Sequence, residues 1–180
     1  MRRMFGRPFR QGFGPDIPPM LQRANQLMAA QDYAGAATAF EQLAKAAEGR
    51  GGPRAPFFYL QAGRARIFAG QIPAGMDHLQ YGLNLFARRG QLGKVFNAGN
   101  RIVGELNQRG LTHEAGQIAE HMKSLLPAFN AMSESVHSRK AALPTHCPGC
   151  GAPVRPDEVD WLDDVTAECA FCGSPVRGEN

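Results

Sequence analysis

The sequence predicts a mainly α protein, built of stacked antiparallel helical hairpins, with a small β module at its C-terminal end. Three observations carry this expectation. Apolar and small residues recur at helical spacing from Met20 to Leu126. Turn positions recur at a fixed interval of 39 residues, as in Tyr33, Ile72 and Leu111. All 4 cysteines fall in the last fifth of the chain, as two Cys-x-x-Cys pairs.

The totals agree. A chain of 180 residues holds one ordinary domain and a small appendage. Hydrophobic residues make up 43% and aromatics only 8%, with 21 glycines and many alanines, a mix that suits closely packed helices better than a β-sandwich. No apolar run approaches the roughly 18 residues of a membrane span. The N-terminal stretch MRRMFGRPFRQGFGPDIPP has arginines but no continuous apolar segment and no small-residue cleavage site, so it does not read as a secretion signal. The expected setting is the cytoplasm, where thiols stay reduced or bind metal.

Residues 1–19 show neither helical nor alternating period, and read as a disordered basic arm. Residues 20–126 carry the helices. Leu21, Ala24, Leu27 and Met28 form one apolar stripe, and Asp32 is placed to cap a second helix bearing Ala36, Ala37, Phe40, Leu43, Ala44 and Ala47. The stretch GRGGPRAP, Gly49–Pro56, ends it. A second pair spans Phe57–Ala69 and Pro73–Arg88, with Pro73 suited to a first helical turn. A third spans Lys94–Gln108 and Thr112–Leu126, with Thr112 as the expected cap. Each hairpin has an apolar face it cannot bury alone, and stacking about three units buries it. Residues 127–145 read either as a capping helix or as a linker, and residues 146–177 as the cysteine module.

The stretch ANQLMAAQDYAGAATAFEQL, Ala24–Leu43, resembles a tetratricopeptide repeat. Ala24, Leu27, the Asp32-Tyr33 turn, Ala36, Phe40 and Leu43 stand at that repeat's signature spacings, and Tyr59, Ala62, Gly63, Ile72, Gly75 and Leu79 match in the second unit. In the third, Gly110, Ala115 and Met122 match once the register moves by one residue. The units run longer than the family's usual repeat and lack its terminal proline. The resemblance implies that the first helix of each pair lines a groove for a protein or peptide partner. Asn25, Gln61, Arg64, Asn97, Asn100 and Arg101 would face that groove. Two arginines among amides suit an acidic or carboxylate-ended peptide. The plain alternative is a solvated helix face.

The cysteines are spaced Cys147-x2-Cys150-x18-Cys169-x2-Cys172. Each Cys-x-x-Cys turn presents two sulfurs to one point, and two such knuckles facing each other supply the four thiolates of a tetrahedral zinc site. Gly151 and Gly173 each follow the second cysteine of a pair, where a positive φ lets backbone amides approach the sulfurs. Glu158–Val165 is expected to supply strand, with Val159 and Trp161 on one side and Asp163-Asp164 in a turn. The pattern is similar to a zinc ribbon, with all four ligands and both glycines present. Four thiolates leave no open position, so a single Zn²⁺ there is expected to be structural, and folding of so small a module should depend on it. Iron also accepts four thiolates, and an iron-binding electron carrier is an alternative, although the gap is shorter than in rubredoxins. Disulfides and a redox pair fit less well. His146 is expected to face solvent beside the site.

Net charge is +4, with 20 basic and 16 acidic residues, but it is unevenly placed. The arm carries four arginines, the helical region is also net basic, and residues 146–180 are net acidic. The acidic module and basic helices are therefore candidates to dock on each other, within one chain or across a dimer. The scattered histidines, His78, His113, His121 and His137, form no paired-ligand motif, and no phosphate loop, nucleophile elbow or catalytic carboxylate pair stands out. The functional expectation is a non-enzymatic adaptor or scaffold for a protein partner. The alternative is a nucleic-acid-binding accessory protein acting through the Arg/Gly/Phe arm, since such arms contact phosphate and stack on bases. An acidic module opposes that use, because phosphate contact is driven by Lys and Arg.

Overall fold

Five helix-ending turns of one kind organise the molecule. The computed structural model describes residues 19–126, 141–156, 158–161 and 165–178. Its helices are α1 (Pro19–Ala29), α2 (Tyr33–Gly49), α3 (Ala55–Phe68), α4 (Ile72–Arg88), α5 (Leu92–Gln108) and α6 (Thr112–Leu125). Each junction from α1 to α6 holds one residue of positive φ: Gln31, Gly51, Gly70, Gly90 and Gly110. The amide of the following residue donates to the carbonyl five residues back, as in Asp32 to Leu27 (2.9 Å), Gly52 to Ala47 (2.7 Å) and Leu111 to Leu106 (2.9 Å). This bond satisfies a carbonyl that the helix end would otherwise leave unpaired, and glycine adopts the conformation without a Cβ penalty. Gln31, at φ 62°, is the non-glycine exception.

These turns set the repeat. The second helices of the pairs begin at Tyr33, Ile72 and Thr112, so the interval is 39 residues and then 40. The one-residue register shift in the third unit is therefore real. The cap differs from the expected one: Leu111, not Thr112, is the N-cap of α6 and makes no side-chain bond there. Asp32 does cap α2, accepting from the amide of Gly35 at 2.9 Å. Pro73 sits in the first turn of α4, as its missing amide proton favours.

Consecutive helices pack against one another, most extensively α2 on α3 and α3 on α4. Small residues make the closest approach possible. A Cβ on Gly63 would lie 2.8 Å from the Gly75 carbonyl oxygen, and one on Gly75 would lie 2.8 Å from that of Gly63. Phe40, Leu79, Leu83, Phe86, Ile102 and Ile118 are fully or almost fully buried between the helices. Two carboxylates of α2 tie α3 and α4 to it. Glu41 accepts from Arg66 (2.6 and 2.9 Å) and pairs with His78 (2.9 Å). Glu48 accepts from Tyr59 (2.7 Å) and Tyr81 (2.5 Å).

The C-terminal module contains a three-stranded antiparallel sheet, β1 (Asp160–Trp161), β2 (Thr166–Glu168) and β3 (Pro175–Arg177), in the order β1-β2-β3. Asp160 opposes Glu168, and Ala167 opposes Val176. The expected strand within Glu158–Val165 is thus shorter than predicted and is joined by two more. The basic arm up to residue 18, residues 127–140 of the expected cap or linker, and the Asp163-Asp164 turn lie outside the described residues.

Candidate metal centre and its seat on the helices

The two cysteine pairs sit in matching backbone knuckles. In the first, the amide of Cys147 donates to Ala152 (2.8 Å) and that of Gly151 to Cys147 (2.9 Å). In the second, Cys169 donates to Ser174 (2.9 Å) and Gly173 to Cys169 (2.8 Å). The flanking residues pair alike, His146 with Pro153 and Glu168 with Pro175. Gly151 and Gly173 have φ of 74° and 75°. Both knuckles thus share one geometry, and that geometry needs a residue at ease with positive φ directly after the second cysteine.

Facing each other, the knuckles bring the four sulfurs within 4.8 Å of one another, all on buried residues. Across the pairs, Cys147 Sγ lies 3.7 Å from Cys172 Sγ, and Cys150 Sγ lies 3.9 Å from Cys169 Sγ. A tetrahedron of thiolates with metal–sulfur bonds of about 2.3 Å has edges of about 3.8 Å. The donor set fits a metal ion of that size. The neighbouring sulfurs of Cys150 and Cys169 pull the Cys172 thiol far below the ordinary range. Hydrogen bonding with Cys169 and Cys172, together with burial, pushes Cys150 far up. A bound cation would hold all four as thiolates. His146 is exposed and its Nδ1 lies 3.1 Å from Thr145 Oγ1, so it stands outside the four-sulfur set.

The module sits on the helices through α1, α3 and α5. The Asn25 side-chain amide donates to the Cys150 carbonyl (2.8 Å), and Gln22 donates to that of Gly149 (3.3 Å). Arg54, the N-cap of α3, pairs with Glu168 (2.9 Å), Lys94 with Asp160 (3.1 Å), and Arg101 with Glu158. Glu158 is only 5% exposed, so this last pair is the most desolvated of the three. Phe57 packs edge-on against Phe86 (4.8 Å between centroids) and reaches Phe171 of the module (5.7 Å), joining the two apolar interiors. The docking expected from the charge asymmetry is therefore found within one chain.

This arrangement redistributes the six residues expected to face a partner. Asn25 and Arg101 contact the module. Gln61 is buried and accepts from Arg64 (3.2 Å), which also grips Glu105 with two bonds (2.8 and 3.0 Å). Asn97 is half-buried on α5, while Asn100 is exposed beside a cleft lined by Phe96, Val103, Met122 and Leu126. Arg155 of the module approaches Arg64 and Arg101. Burial first, then those two cations, lower its pKa, while Glu105 and Glu158 counter them. Gln22, Arg54, Phe57 and Lys94 complete the seat without being expected from the sequence. Their signal is the basic and aromatic residues of the first helices set against acidic residues 158–168, which needs the hairpin register before it can be read.

No family model matches the chain, and no characterised protein or solved structure shows significant similarity to it. Among the described residues no helix is long and apolar enough to cross a membrane.

Proposed function

We propose that the chain is a non-enzymatic adaptor: a tetratricopeptide-like helical array that binds a protein partner and carries a zinc ribbon whose metal is structural. The observation that carries this reading is the closed set of four buried sulfurs within 4.8 Å of one another. Cys147, Cys150, Cys169 and Cys172 would hold one Zn²⁺ and leave no coordination position for substrate. The ion would supply only cross-linking, and the module, with its very short strands, depends on it to fold. Iron fits the same donors. Zinc is supported by the short spacing between the two cysteine pairs. The small-residue contact between Gly63 and Gly75, at the tetratricopeptide signature positions, supports the repeat reading.

The nucleic-acid reading draws less support. Arg54, Lys94 and Arg101 already face carboxylates, which removes three cations from phosphate binding. Metal analysis of the purified protein tests the site: one zinc per chain in a colourless solution is expected, and a visible iron–thiolate band would overturn it. Affinity capture with intact protein and with Cys147→Ser tests the adaptor role. Recovery of nucleic acid in place of a protein partner would overturn that reading.

A further inference from the structure

The C-terminal module marks a surface by covering it. Its contacts fall on the first helix of each pair, and they combine three cation–carboxylate pairs with one aromatic contact. The charge runs one way: every cation of these three pairs is on the helices and every carboxylate on the module. We propose that this face of α1, α3 and α5 binds an acidic protein segment bearing an aromatic anchor, and that the module is its built-in competitor. The proposal rests on the adaptor reading and names the chemistry of its partner.

The contact has the character of an interface that opens. Side chains are one-third to two-fifths exposed in the Arg54–Glu168 pair, and Asp160 is 69% exposed beside Lys94. These two pairs hold loosely, so the closed state rests on the buried Arg101–Glu158 pair and the Phe57–Phe171 contact, which a displacing segment must replace. The helices keep their own interior without the module, around Phe40, Leu79, Phe86 and Ile118. Phe57 supplies the anchor site: Phe171 meets its ring, and Lys94 Nζ lies 5.3 Å from the ring centroid. An incoming segment would therefore need an aromatic side chain at Phe57 and carboxylates at Arg54, Lys94 and Arg101. Residues 127–140 keep the module tethered, so it competes at high local concentration until a stronger acidic segment displaces it or metal loss unmakes it.

The test uses the full chain and a fluorescein-labelled peptide copying residues 158–172 with Cys169→Ser and Cys172→Ser. The metal-loaded wild type should bind it weakly. Combining Glu158→Lys, Asp160→Lys and Glu168→Lys leaves the helical face and the four cysteines in place. That variant should bind at least about tenfold more tightly, because apparent affinity scales with the open fraction of the site. Wild type stripped of metal by a chelator should show the same gain, and it decides the matter if the triple variant fails to hold metal. Added salt, or Arg101→Glu in the stripped protein, should abolish the gain. Equal binding by closed and opened forms, no binding by either opened form, or binding indifferent to Arg101→Glu would overturn the inference. Capture of a protein partner alongside such a failure would leave the adaptor reading intact and place the partner elsewhere on the array.

Discussion

The side-chain amide of Asn25 donates a 2.8 Å hydrogen bond to the backbone carbonyl of Cys150, across 125 residues of sequence. It fastens α1 to the first metal knuckle. The bond is part-buried, at the edge of an open cleft lined by Gln22, Gln26 and Gly149, so water can reach the carbonyl once the donor is lost and the cost is that of one net hydrogen bond. Asn25→Ala should lower stability by about 1 kcal/mol. Asn25→Asp should cost at least as much, because a carboxylate cannot donate to a carbonyl. Chemical denaturation of the metal-loaded protein measures both. A variant with the wild-type midpoint would show that the knuckle does not depend on α1.

The two knuckle glycines have nearly equal φ but unequal surroundings, which separates strain from crowding. At Gly151 a Cβ would meet only Asn25 Cβ at 3.8 Å, an ordinary contact. Gly151→Ala should therefore cost about 1–2 kcal/mol, the penalty of a left-handed residue. At Gly173 a Cβ would strike the Arg54 guanidinium and lie 2.9 Å from Glu168 Oε1. Gly173→Ala should add loss of the Arg54–Glu168 pair, less than about 1 kcal/mol more because that pair is part-exposed. In an Arg54→Ala background, where the pair is already gone, Gly173→Ala should cost no more than Gly151→Ala does. Equal costs for the two glycines would contradict the placement of Arg54.

Local chemistry is legible in the sequence: Asp32 as a cap, Gly70 and Gly110 at turns, four cysteines at metal spacing. Each of these signals lies within a few residues of its structural effect. The cap expected at Thr112 falls one residue late because α6 already begins at Thr112, and the turn before it is set by a backbone bond from Leu111 to Leu106 rather than by a capping side chain. The strands β2 and β3 escape a sequence reading because three-residue strands carry no periodicity. Partners such as Arg101 and Glu158 are far apart in sequence, and only net charge hints at them. The groove residues implied by the tetratricopeptide resemblance include Asn25 and Arg101. The same resemblance passes over Arg54, which is a cap, and Phe57, which reads as core.

Half-buried, paired carboxylates should make the helical array sensitive to acid. Burial alone would raise the Glu105 pKa, but hydrogen bonding and charge from Arg64 outweigh it and hold the value below the ordinary 4.5. Arg66 does the same for Glu41, and Tyr81 with Tyr59 for Glu48. The unfolded chain takes up these protons at higher pH than the folded one. Their contribution is therefore present above about pH 4.5 and is lost as pH falls through the folded values. Glu105→Gln should cost about 1–2 kcal/mol at pH 7 and progressively less below pH 4.5. Metal release in acid is common to both proteins and cancels in their difference. A cost that does not change with pH would rule out the charged Arg64–Glu105 pair.

Helix glycines give the sharpest check on how α3 and α4 meet. Alanine normally stabilises a helix interior relative to glycine by roughly 0.5–1 kcal/mol. A Cβ added at Gly104 in α5 would meet nothing within 4 Å, so Gly104→Ala should show that gain. At Gly75 the same methyl would lie 2.5 Å from Ile67 Cγ1, 2.8 Å from the Gly63 carbonyl oxygen and 3.1 Å from the Ile67 amide. Two of those atoms belong to backbone and cannot rotate away. Gly75→Ala should therefore separate the helices at a net cost of about 1–3 kcal/mol. That cost should be absent for Gly104→Ala, which changes the same atoms on the same kind of helix. Thermal melts of the metal-loaded pair decide it. If both substitutions raise the midpoint, α3 and α4 do not approach through Gly63 and Gly75, and the hairpin contact on which the repeat is built would have to be redrawn.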